Sequence, residues 1–198
     1  MNRLLPLLVA LISLSGAPAL KIKVIDKHWY RVGYSEELRE PVWVEYEVQC
    51  TQAIFSRKGL KFYPEPGVTT STDRDYTNNP WDKGHMAPAA DFACDSLALR
   101  STFSYVNVAL QHQRLNRGAW KELEAEERRL AQDAPVKVRI DILFEGEPRR
   151  VATGARIPSS FIKKISYRGY NSRYHFPNDA NVGTNPEEYI VYSQVNPR

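Results

Sequence analysis

The chain has 198 residues and a formal net charge of +4 from 27 basic and 23 acidic side chains. That length fits one domain whose core needs no disulfide or metal to hold it, and beyond the first twenty residues no apolar stretch is long enough to cross a bilayer. The mild positive excess helps collect a polyanion on encounter but does not by itself define a partner.

The opening residues read as a secretory leader: Arg3 gives a basic start, residues 4–14 are almost wholly apolar, and Ala17-Pro18-Ala19 supplies small residues for cleavage after Ala19. The apolar run is shorter than the ~20 residues a spanning helix needs, which disfavours an uncleaved anchor. Residues 20–198 are the expected single domain, secreted or periplasmic, with no stable membrane association; without Arg3 its charge is +3. Both cysteines, Cys50 and Cys94, lie in it. An oxidising compartment favours pairing them, the alternative being two separate buried thiols, and no Cys/His spacing resembles a zinc site.

Strands come first along the chain. Residues 22–25, 29–34, 41–48 and 60–63 are short, β-branched or aromatic, and bounded by charged or Gly/Pro turns. Val42, Val44, Tyr46 and Val48 alternate with Trp43, Glu45 and Glu47, the pattern of a strand with one buried face. Pro64-Glu65-Pro66-Gly67 breaks the run, and residues 69–80 are a polar loop. After His85 the chain turns helical: Asp95-Ser96 caps a short helix over 97–102, and a longer helix covers about 115–132. In the longer helix Leu115, Ala119, Trp120, Leu123 and Leu130 form an apolar stripe, while Lys121, Glu122, Glu126, Arg128 and Arg129 face water. Strands resume from Val136, with further ones over 151–165 and 189–194. The expected class is α+β with a mixed or antiparallel sheet.

Three segments carry chemistry: Asp82-Lys83-Gly84-His85-Met86-Ala87-Pro88-Ala89-Ala90-Asp91, Ser104-Tyr105-Val106-Asn107-Val108-Ala109-Leu110-Gln111, and Leu115-Asn116-Arg117-Gly118-Ala119-Trp120-Lys121-Glu122-Leu123-Glu124. A histidine, two asparagines and a glutamate in that order suit water activated by an imidazole beside a hard cation held by few protein oxygens. Such chemistry cuts phosphodiesters. His85 is the candidate general base, and Asp82 is placed to fix its tautomer or the loop. Asn116 and Glu124, eight residues apart on one predicted helix, share a broad face with ~12 Å of rise between them. Asn116 offers a hard neutral oxygen to Mg²⁺, and Glu124 can hold metal-bound water; taken singly, they are also an N-cap and a solvated helix charge. Asn107 orients His85 or its loop, or is a buried turn amide. Trp81 and Trp120 read as packing residues rather than base-stacking platforms.

These segments closely resemble the DNA/RNA non-specific endonuclease family, with its ββα-metal (His-Me finger) active site. The likeness runs loosely back to Val42, through Asp75-Tyr76, and forward to Ile157-Pro158-Ser159-Ser160-Phe161-Ile162-Lys163-Lys164, roughly two-thirds of the chain after the leader. The resemblance implies that His85 activates water, that Asn116 is the sole direct protein ligand of Mg²⁺, that Glu124 steadies metal-bound water, and that products carry 5′-phosphate and 3′-hydroxyl ends. Two departures stand out. Lys83 occupies a position where the family usually has Arg, trading a bidentate fork for a point charge. The family's phosphate-clamping Arg before the Asp-Tyr pair is replaced by Val68-Thr69-Thr70-Ser71-Thr72, leaving Arg74 or Arg57 to substitute.

The expectation is therefore a secreted endonuclease acting on DNA and RNA with little sequence preference, using Mg²⁺ with Mn²⁺ as a substitute, and with Lys83 and Arg74 or Arg57 on the phosphate. The alternatives are a toxin or effector nuclease with the same site and a catalytically decayed nucleic-acid-binding protein.

Overall fold

The computed structural model describes residues 19–195, so nearly all of the expected leader lies outside the described residues. In chain order the strands are β1 (Lys23–Asp26), β2 (Tyr30–Ser35), β3 (Glu40–Glu47), β4 (Trp81–His85), β5 (Val108–His112), β6 (Val136–Leu143), β7 (Ser160–Tyr167), β8 (Tyr170–Pro177) and β9 (Ile190–Val195). The helices are α1 (Ser96–Ser101), α2 (Gln113–Arg117) and α3 (Ala119–Ala131). Seven strands form one antiparallel sheet in the order β1-β2-β3-β6-β7-β8-β9, and β4 pairs with β5 in a separate antiparallel hairpin. The class is α+β, as the sequence pattern requires.

Alternation decides the faces of the large sheet. Val44, Tyr46, Val136, Val138, Ile140 and Ile142 point inward and are buried, while Trp43, Glu45, Arg139 and Asp141 lie on the other face. Helix α3 covers the inner face, its Trp120 ring edge-on to Phe161 (5.5 Å) and Phe176 (5.7 Å). Everything from residue 48 to residue 135 leaves the sheet at the end of β3 and returns to its neighbour β6, where the Val48 amide bonds the Val136 carbonyl at 3.0 Å.

The small hairpin is fastened to the large sheet by side chains that replace a missing strand neighbour. Buried Glu40 accepts from the Leu110 amide at 3.2 Å, and buried Asn178 bonds the Leu110 carbonyl (2.9 Å) and the His112 amide (2.7 Å). Burial pushes the Glu40 carboxyl well above its ordinary range, and its second oxygen has no partner. A raised carboxylate makes folding take up a proton above the unfolded value, so this residue lowers stability as pH rises toward its folded pKa. Glu40→Gln is expected to flatten the fall in melting temperature between about pH 5 and pH 8; an unchanged slope would show that Glu40 is ionised in the folded state.

Three sequence expectations need correction. Residues 60–63 form no strand; only Tyr63 makes a bridge, to Ser104, and the Lys61 carbonyl accepts from the Arg100 side chain rather than from a strand neighbour. The long helix is two helices: at Gly118 (ψ −119°) the chain turns, and a Cβ there would lie 2.6 Å from the Arg114 carbonyl oxygen. Residues 151–159 turn at Gly154 (φ +104°), so the strand expected over 151–165 begins only at Ser160. Strand β8 was not expected. It returns through Arg168-Gly169, whose two positive φ values (47° and 81°) make the two-residue turn suited to strand twist. Cys50 and Cys94 form a disulfide with Cα atoms 5.6 Å apart.

Candidate active site

The hairpin β4–β5 and the helices that follow it make one wall of an open cleft of about 1130 Å³. Asp82, Lys83, His85, Asn116, Glu124 and Arg57 all line it; Arg74 does not, and buried Asn107 lies beneath it. His85 ends β4 opposite Val108 rather than standing on a loop. Its imidazole sits between Phe62 (5.3 Å) and Phe103 (5.1 Å), with Nε2 buried and unpartnered. Burial, then the Arg57 charge, lowers its pKa to about 4. The ring is therefore neutral at neutral pH and free to accept a proton.

Asp82 does not touch His85. Its carboxylate accepts the Asn116 side-chain amide at 2.8 Å and the Arg117 guanidinium at 2.8 and 2.7 Å. Burial raises the Asp82 pKa, but Arg117 and Asn116 outweigh it and hold the carboxyl below its usual value. The amide nitrogen of Asn116 is thus committed. Its carbonyl oxygen makes no hydrogen bond among the described residues, so it remains a hard oxygen donor on the cleft wall. Asn116 caps no helix: His112 caps α2, and α3 starts after Gly118. Because of the Gly118 break, Asn116 and Glu124 stand on different helices and reach the cleft separately.

Glu124 is half-buried and forms no ion pair among the described residues. Burial raises its pKa to about 7, helped by Glu127 and opposed by Lys163 and Arg128. Among the described residues, no cluster of three His, Cys, Asp or Glu side chains could hold a metal. An amide oxygen and a lone carboxylate fit a hydrated hard cation that keeps most of its waters, and do not fit zinc.

Asn107 is a clamp. Its side chain bonds both the amide and carbonyl of Ala87 (2.9 Å each) and the Thr102 carbonyl (3.0 Å), fixing the chain two residues past His85. It orients the loop and makes no hydrogen bond to His85. Lys83 is paired with Asp73 and lies over the Phe62 (5.0 Å) and Tyr76 (5.5 Å) rings. Trp81 lines the cleft, edge-on to His112, while Trp120 is core.

The sequence reading missed Arg128. It was assigned to the solvent face, yet it lines the cleft one turn beyond Glu124 and bonds fully buried Asp91 at 2.6 Å. The four-residue step from Glu124 was the available signal. Also unforeseen was the buried network beneath α3: Lys163 donates to Glu127 at 2.7 Å, and Glu127 accepts from the Tyr46 hydroxyl at 2.7 Å.

Residues 13–193 match the family model described as DNA/RNA non-specific endonuclease. Mitochondrial nuclease EXOG of Danio rerio is 35% identical over 98 residues, 47% of this chain and 29% of that protein. Mitochondrial endonuclease G of Homo sapiens is 39% identical over 122 residues, 59% of this chain and 41% of that protein. The chain thus spans less than half the length of these curated relatives. A crystal structure of the EndoG/EndoGI complex shares the fold at a TM-score of 0.76 and 24% identity, over 85% of this chain and 80% of that one. A match that takes in nearly all of the described residues, including the cleft and every side chain that lines it, places the chain in the DNA/RNA non-specific endonuclease family.

Proposed function

We propose that this protein is a Mg²⁺-dependent endonuclease that hydrolyses phosphodiester bonds of DNA and RNA with little sequence preference. One observation carries the reading: a neutral imidazole, an amide oxygen oriented by a buried-side carboxylate, and an unpaired Glu124 converge on one cleft edged with cations. The ion, when bound beside Asn116, would neutralise charge building on the phosphate and the departing oxygen. His85 takes the proton of the attacking water as the water oxygen bonds phosphorus. The bond from phosphorus to the 3′ oxygen breaks and that oxygen takes a proton from solvent water, giving 5′-phosphate and 3′-hydroxyl ends. Burial first and the Arg57 charge second lower the His85 pKa, and Arg57 also stands ready for a phosphate oxygen; a phosphate placed there offsets its charge and so removes the smaller of the two effects. Contacts of this kind read the backbone, which is why sequence preference is low.

Incubating the purified protein with supercoiled plasmid and Mg²⁺, with and without chelator, tests the reading. Nicking only in the free ion supports it, and intact plasmid under both conditions overturns it. Asp82→Ala is expected to raise the Mg²⁺ concentration needed for half-maximal activity by about 10–100-fold, since the carboxylate holds the ligand's orientation rather than the ion. A Mg²⁺ titration indistinguishable from that of the parent would remove Asp82 from this role.

We also propose export, with cleavage after Ala19. The Cys50–Cys94 disulfide supports it, because such bonds persist in oxidising compartments. Mass spectrometry of the exported protein should find Leu20 at the amino terminus.

A further inference from the structure

Residues 53–58 form an arm beside the cleft whose backbone is unusually well fastened for a connecting segment. The Cys50–Cys94 disulfide closes its base, the Cys50 amide bonds the Asp91 carbonyl (2.9 Å), and the Ile54 and Phe55 amides both bond the Ala93 carbonyl (2.9 and 2.8 Å). Further out, the Lys58 amide bonds the Ser56 hydroxyl (3.1 Å) and the Leu60 amide bonds the Arg57 carbonyl (3.2 Å). On this fixed frame Phe55 lines the cleft with 44% of its surface exposed. A lone exposed apolar side chain needs no explanation. This one is followed by two cations of a particular kind. Of the six basic side chains lining the cleft, Lys83, Arg117, Lys121 and Arg128 each have a carboxylate partner; Arg57 and Lys58 have none among the described residues.

We infer that the arm grips a single strand in the cleft: Phe55 stacks on an unpaired base while Arg57 and Lys58 take the adjoining phosphates. The inference rests on the nuclease reading and adds to it a preference for single-stranded or locally unpaired nucleic acid, which the underwound regions of a supercoiled plasmid also supply. In a duplex the base faces are covered by their neighbours, so the ring gains a partner only where a base is unstacked. Unpaired cations suit phosphate because no carboxylate competes for them. A pre-fastened arm also leaves little loop ordering to be done on binding. The arrangement supplies from residue 57 the arginine that is missing before Asp75-Tyr76.

The test is binding, measured by fluorescence anisotropy with chelator present so that no probe is cut, to a labelled oligothymidylate and to a duplex of equal length. Phe55→Ala should weaken single-strand binding about tenfold and change duplex binding by no more than about twofold. Phe55→Trp should restore single-strand affinity. Arg57→Ala should weaken both probes and lower the salt slope by about one phosphate contact. Equal loss on both probes, or none on either, for Phe55→Ala overturns the arm. The plasmid assay judges the nuclease reading separately: a protein that binds with this preference yet cuts nothing keeps the arm and loses the nuclease, and the converse result does the opposite.

Discussion

His85→Ala is expected to slow plasmid cleavage by about 10²–10⁴ at saturating Mg²⁺, the usual cost of losing a positioned base. The loss should fall on the maximal rate rather than on substrate affinity, because the ring carries no charge to offer a phosphate at neutral pH. The substitution removes a ring held between Phe62 and Phe103, so it opens a space of imidazole shape beside the cleft. Added imidazole should therefore restore part of the rate to His85→Ala and none to Asn116→Ala. An alanine variant cutting within about tenfold of the parent would exclude His85 as the base.

The second large effect is on stability. Lys163 and Glu127 are both fully buried, Lys163 also lying 4.3 Å from the Trp120 ring centre, and Glu127 holds the Tyr46 hydroxyl. The pair ties α3 to β7 and β3, and α3 carries Glu124 and Arg128 into the cleft. Lys163→Met strands a buried carboxylate and is expected to cost about 3–5 kcal/mol, a fall of roughly 6–20 °C in melting temperature for a chain of this size. Combining it with Glu127→Leu removes both charges and should recover most of the loss, short of about 1–3 kcal/mol for the orphaned Tyr46 hydroxyl. Thermal unfolding of the single and double variants checks this. A Lys163→Met protein as stable as the parent would mean that the pair is not a stabilising contact.

The large sheet was legible because burial of one face writes itself into alternation, as at Val44 and Tyr46 or Val138 and Ile140. The hairpin of β4 and β5 left no such trace. Asp82, Lys83 and His85 face a cleft, so polarity replaced the apolar half of the pattern. The Gly118 break was hidden for the opposite reason. Leu115, Ala119 and Leu123 keep a four-residue step across it and are all buried, so the stripe looked continuous. The order His85, Asn116, Glu124 marked the candidate site, and the structure brings all three to one cleft. What stayed out of reach were partnerships between distant positions: Arg128 with Asp91, Asp82 with Asn116 and Arg117, and Lys163 with Glu127. Each joins side chains more than thirty residues apart, and single residues do not advertise their partners.

The cleft's side chains from Arg57 to Arg128 all belong to the stretch that departs from β3 and rejoins β6, two neighbouring strands. Topologically that stretch is one oversized hairpin connection, stapled shut where Val48 meets Val136. Closure entropy grows slowly with length, so the sheet tolerates a long connection there as readily as a short one. What makes the connection specific is its apolar underside, where Phe92 meets Tyr30 and Tyr46, and Trp120 meets Phe161 and Phe176. The cleft-bearing stretch is accordingly seated by its aromatics, and a host sheet that offered two adjacent antiparallel strand ends would also have to offer matching rings to hold it.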